Sequence, residues 1–204
     1  MPIFRKADQR IAFIHIPKAA GSSVERHFTN AGWQMDFYRP CSDPNVPAVH
    51  HLTYEGLREQ VPDLDEIPSF CIVRNPYKRM VSEWRWQRTR MRTTQTNFTD
   101  FVRRVTVSLK KSRTYWDNHW RPQSDFVNEN LKKVIKIEKL DEGFRNFSDE
   151  YEIGFSEPIP RFGRSKFGSF PRLRLEDGVL DAVLDLYRDD FKLFGYPTEP
   201  PVLK

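Results

Sequence analysis

Short apolar runs alternate with charged stretches along the chain, and the apolar period shifts between two and nearly four. Ile11-Ala-Phe-Ile-His-Ile16 is a β-rich run stopped by Pro17. Small residues follow at 19–23, and Val24-Glu-Arg-His-Phe28 then predicts a helix, giving strand, tight loop, helix. In residues 33–38, Trp33, Met35 and Phe37 alternate with Gln34, Asp36 and Tyr38, the pattern of a second strand. Residues 40–47 predict a loop, with a helix opening near Thr53 or Tyr54. Ser69-Phe-Cys-Ile-Val73 is the continuous run expected of a strand covered on both faces in a parallel sheet. Asn75-Pro76 opens the next helix with Pro at the favoured first position, and Tyr77, Met80, Val81 and Trp84 share one face of it. Further on, 98–108 predicts a helix, 134–137 a strand, and 140–147 and 179–194 helices. The last carries Val179, Val183, Leu186, Tyr187 and Phe191 on one stripe, and 161–174 predicts a long polar loop.

Strands alternating with helices imply an α/β fold with a central, mainly parallel sheet flanked by helices, whose ligands bind beyond the carboxyl ends of the strands. With 204 residues, 38% of them hydrophobic, the chain suits one folded domain, 1–204. A net charge of +5 favours anionic ligands without choosing among nucleotides, sulfated sugars and nucleic acid. Two cysteines, Cys41 and Cys71, give no disulfide framework and no metal-ligand spacing. No window has the length of a membrane span and no signal peptide is legible, so the expectation is a soluble, cytoplasmic protein.

The chemistry concentrates after two of the strands. In Pro17-Lys-Ala-Ala-Gly-Ser-Ser23 a helix start follows a strand, presenting backbone N–H groups and a positive dipole end to a phosphate. Gly21 permits close approach, Ser22 and Ser23 add hydroxyls, and Lys18 adds a mobile charge. Lys18 precedes the glycine by three residues, so this is no Walker A loop, and no strand-ending Asp suggests a Mg²⁺ site. A metal-free anion site fits. In Arg74-Asn-Pro-Tyr-Lys-Arg-Met-Val-Ser82 an arginine fork ends a buried strand, and Ser82 lies eight residues on along the helix. Each motif alone has a plain structural reading: a capped αβ turn with a solvated lysine, or an arginine on a carboxylate.

Together, strand-PK-x-x-G-S-S-helix and strand-R-N-P-x-x-R-x-V-S-helix resemble the two elements that bind PAPS (3′-phosphoadenosine 5′-phosphosulfate) in sulfotransferases. The likeness is to the carbohydrate branch that includes the heparan sulfate 2-O-sulfotransferases and their bacterial relatives. It implies a P-loop-like three-layer fold and transfer of a sulfuryl group to an acceptor hydroxyl, of a carbohydrate or glycolipid. By the same likeness Lys18, Ala20, Gly21, Ser22 and Ser23 bind the 5′-phosphosulfate, and Arg74 and Ser82 the 3′-phosphate. The product is PAP, and neither a metal nor nucleic acid is implied. Arg164, Ser165 and Lys166 resemble late basic loops that close over the nucleotide.

Sulfuryl transfer needs a base near neutrality, which favours histidine. His51-Leu-Thr-Tyr54 resembles the H-x-S/T-Y segment carrying the catalytic histidine of the 2-O-sulfotransferases, so His51 is the expected base and Lys18 the group at the bridging oxygen. His50 competes if the register shifts by one. His15 is expected to be packed and His27 to lie on a helix surface. His119, in His119-Trp-Arg-Pro-Gln-Ser124, resembles a H-x-x-P-Q-S stretch of bacterial members; its role is left unassigned, acceptor-side contacts being one use open to it. Two other readings stay open: a P-loop-like nucleotide kinase, and a non-catalytic binder of nucleic acid or sulfated glycan using the 85–92 face. Oligomeric state leaves no sequence signal.

Overall fold

The computed structural model describes residues 2–37, 47–91, 97–160 and 176–201. Among these, Ile3–Lys6 (β1), Gln9–Ile14 (β2), Gln34–Asp36 (β3), Ser69–Val73 (β4) and Lys133–Lys136 (β5) form one five-stranded sheet, ordered β3-β1-β2-β4-β5. β2, β4 and β5 run parallel, with Ile14 opposite Cys71 and Cys71 opposite Val134. β1 is antiparallel to both β2 and β3. The sheet is therefore mixed, where a mainly parallel one was expected. The cause is local: Ala7 is left-handed (φ 48°) and the chain doubles back so that Lys6 faces Gln9. Only Ile3 and Phe4 of β1 are buried, too short an apolar signal to mark a strand in advance.

The α-helices among the described residues are α1 (Gly21–Asn30), α2 (Tyr54–Arg58), α3 (Pro76–Trp86), α4 (Phe98–Lys111), α5 (Leu140–Glu150), α6 (Val179–Leu186) and α7 (Arg188–Leu193). One core joins the sheet to α1, α2 and α5 through Phe4, Phe13, Phe28, Tyr54, Phe70 and Phe147. In it Phe4 stacks on Phe28 at 4.0 Å and Phe70 meets Phe147 at 4.8 Å. A second core packs α3, α4, α6 and α7 around Tyr77, Trp84, Phe101, Val183 and Phe191. Each such side chain, fully buried, contributes roughly 1.5–3 kcal/mol. β4 is buried along its whole length, as its continuous run predicted.

Two local expectations change. The single helix expected over 179–194 breaks at Tyr187 (φ −119°, ψ 28°), whose hydroxyl donates to the Trp120 carbonyl at 2.8 Å. The apolar stripe runs on through the break, which is why periodicity alone joined the two pieces. His27 is buried rather than on a surface, stacked on Phe155 at 4.4 Å and edge-on to Phe144 at 5.7 Å. Residue 38 of the expected 33–38 strand and residues 40–46 of the expected 40–47 loop lie outside the described residues. No helix among those described is long and apolar enough to cross a membrane.

Candidate active site

The loops after β2 and β4 leave the carboxyl ends of neighbouring parallel strands, which brings the two sequence motifs side by side. In the first, Lys18 (φ 66°) and Ala20 (φ 69°) are both left-handed, and the Ser23 and Val24 N–H groups turn back to the Ala20 carbonyl at 2.9 and 3.2 Å. Ala20 gives α1 no side-chain cap, and the first turn of α1 holds no acid. Every other α-helix described has one or the other. Thr53, Asn75 and Asn97 cap α2, α3 and α4, while acids occupy the first turns of α5, α6 and α7. Among the described α-helices, α1 is the one whose positive end has neither a side-chain cap nor a first-turn acid.

In the second motif Asn75 Oδ1 accepts from the Lys78 N–H at 3.3 Å, and Pro76 takes the first helical position, as predicted. Arg74 Nη1 donates to the Lys18 carbonyl at 3.3 Å, tying the motifs together. Burial lowers the Arg74 guanidinium from its ordinary pKa, with Arg85 adding repulsion against the pull of Glu138. Such a cation gains from an added anion. The Arg74 backbone is fixed by Gln123, which accepts its N–H at 2.9 Å and donates to its carbonyl at 2.8 Å. Asp190, itself fully buried, accepts from the Gln123 and Ser124 N–H groups at 2.9 and 2.8 Å. Ser82 is half-buried on α3, Ser23 is buried, and Ser22 is exposed. Arg164, Ser165 and Lys166 lie outside the described residues.

Gly21 also serves a neighbour that the sequence did not point to. A Cβ there would run into the His15 imidazole, so the bare Cα makes room for that ring. His15 opens a row of histidines, its ring 4.9 Å from that of His51, which lies 5.0 Å from that of His119. Each of the three faces a carboxylate through Nδ1: His15 and Glu25 at 2.7 Å, His51 and Asp117 at 2.8 Å, His119 and Glu83 at 3.0 Å. Burial drives the His51 pKa well below its ordinary value, with the other histidines adding repulsion. Burial alone would raise Glu83, but His119, Lys18 and Gln87 outweigh it and hold the carboxyl below its usual range. Trp86 stacks on His119 at 5.1 Å and carries the Lys18 ammonium 4.7 Å from its ring centre, linking the lysine to the row.

His50, His51 and Asp117 are the one set among the described residues spaced for a metal, with donor atoms within 4.8 Å of one another. Both Asp117 oxygens are already engaged, one by His51 and the other by the Ala48 N–H at 2.5 Å. The set reads as a hydrogen-bonded imidazole–carboxylate pair. Sequence reasoning did not find Glu25, Glu83, Trp86, Asp117 or Gln123 as partners. Glu83 carried a signal, since a charge among Met80, Val81 and Trp84 on one helix needs a buried partner.

A sequence model described as Sulfotransferase family matches residues 1–197. The chain belongs to the sulfotransferase family. No curated protein and no solved structure matches it. Sulfuryl transfer in general requires an anion site and a place to put a proton.

Proposed function

We propose that this sulfotransferase takes its sulfuryl group from PAPS and delivers it to a hydroxyl of a carbohydrate or glycolipid, with 1–204 acting as one P-loop-like domain. The observation carrying this reading is the α1 terminus, uncapped and without first-turn acids, beside a half-buried Arg74 joined to Lys18. The amides at Gly21 and Ser22, with the Ser22 and Ser23 hydroxyls and Lys18, receive the 5′-phosphosulfate, Arg74 and Ser82 the 3′-phosphate. PAPS supplies the activated sulfuryl group. As the acceptor oxygen bonds to sulfur, His51 Nε2 takes the hydroxyl proton and Lys18 offsets charge on the departing phosphate oxygen. Asp117 at Nδ1 fixes the tautomer that leaves Nε2 unprotonated, and the lowered pKa keeps the ring neutral at pH 7.

The Glu83–His119 pair supports a second reading, in which His119 takes that proton. Sulfur-labelled PAPS offered with a panel of hydroxyl acceptors separates the two. His51→Ala should cut labelling by about 10²–10⁴-fold while leaving PAP binding intact. Full labelling by His51→Ala, with loss in His119→Ala, would transfer the role to His119.

A further inference from the structure

The donor loop and the histidine row meet at a single buried side chain that neither motif explains. Arg79, on α3, is 3% exposed. Its Nε donates to the Pro17 carbonyl at 3.0 Å, Nη1 to the Arg121 carbonyl at 2.9 Å, and Nη2 to the His119 carbonyl at 3.0 Å. Three neutral carbonyls on two separate loops thus share one rigid guanidinium fork, a geometry lysine cannot reproduce. Burial raises the pKa of the Asp190 carboxyl that holds Gln123, and the charge of Arg79 pulls against that rise.

The loop it holds on the histidine side needs holding. Trp116, Asp117 and Asn118 are consecutive left-handed residues (φ 57°, 54° and 60°), a run that non-glycine residues adopt only when the surroundings impose it. Asn118 Nδ2 donates to the His51 carbonyl at 2.8 Å, and Asp117 receives the His51 ring. On the other side Lys18 is itself left-handed, one residue after the Pro17 that Arg79 grips. Two strained loops carrying opposite halves of the chemistry are therefore pinned to one side chain.

We propose that Arg79 is a positioning residue: its three bonds set Lys18 against His51 and His119, so that occupation of the donor loop is transmitted to the histidine row. The role rests on the donor reading above for its purpose, though not for its geometry. Misplacing reacting groups by about 1 Å can cost roughly a hundredfold in rate, which gives such a clamp its value.

The test uses the full chain, with Arg79→Lys and Arg79→Gln, and hydrogen–deuterium exchange with and without PAP. Without ligand, exchange in 15–20 and in 117–121 should rise together by about tenfold or more in both variants, the scale of one lost charge-assisted bond. Wild-type exchange in both segments would overturn the clamp. With PAP, the wild type should gain protection at 15–20 and also at 117–121. Arg79→Lys should keep the first and lose the second, which a merely stabilising arginine would not produce. Protection of 117–121 persisting in Arg79→Lys would overturn the proposed transmission. A wild type that ignores PAP while both segments loosen in the variants would sink the donor reading and leave the clamp standing.

Discussion

Lys18 and Arg74 follow on strands, one on a left-handed loop and one at a strand end beside a helix cap, with Gln123 holding the Arg74 backbone from farther along the chain. His51 and His119 instead depend on carboxylates from distant parts of the chain, Asp117 at 66 residues and Glu83 at 36. The side proposed to bind the donor brings a lysine, a half-buried arginine and a helix terminus with neither side-chain cap nor first-turn acid to one place. The histidine side compensates each ring from behind, which fixes tautomer and direction before any acceptor arrives. Substitutions should therefore fail differently on the two sides.

The largest effect belongs to the histidine side. His51→Ala should reduce turnover by about 10²–10⁴-fold, the range for positioned acid–base groups, with PAP affinity unchanged. Steady-state transfer combined with calorimetric titration of PAP would show it, and parallel loss of both properties would erase the distinction between the sides. Asp117→Asn removes the charge behind His51 and keeps its shape. Turnover should fall by about a hundredfold, the lower end of that range, again without loss of PAP. Full activity in this variant would mean that the His51–Asp117 pair serves folding alone.

Gly21→Ala tests the place where the sides touch. The added methyl must displace the His15 ring and its contact with Glu25, at a cost of about 1–3 kcal/mol, as for overpacked cores. Urea denaturation measures this, and an unchanged midpoint would show that His15 moves aside freely.

The smallest effect is a pH slope. The folded His51 pKa lies well below that of the unfolded chain, so its contribution to stability is complete above about pH 6.5 and is lost as pH falls through the folded value. Glu25 and Glu83, also held low, add losses of the same sign at more acid pH. Denaturation midpoints between pH 7 and 5 should decline in the wild type and less steeply in His51→Ala. Equal slopes would assign the acid sensitivity elsewhere.

This contrast also governs what the amino-acid sequence could reveal. Strand β4, the Asn75-Pro76 start of α3 and the turn into α1 are set by neighbours a few residues away, and all were legible. The β1 hairpin was not, because two buried residues make no pattern. Nor was Asp117, and the apolar neighbours of Glu83 announced only that it needs a partner, since nothing local says that a carboxylate will face a particular ring. His27 went astray for the same reason: the phenylalanines that bury it come from α5 and the segment after it.

The central claim is that the uncapped α1 terminus and Arg74 together receive the nucleotide donor. Thermal unfolding with PAP in the presence of EDTA tests it most directly. At a hundredfold excess over Kd the ligand should stabilise the chain by about 2.7 kcal/mol, raising Tm by roughly 5–10 °C for a chain of this size. Lys18→Ala and Arg74→Ala should each reduce that shift. No shift at millimolar PAP, or a larger one with ATP and Mg²⁺, would contradict the account.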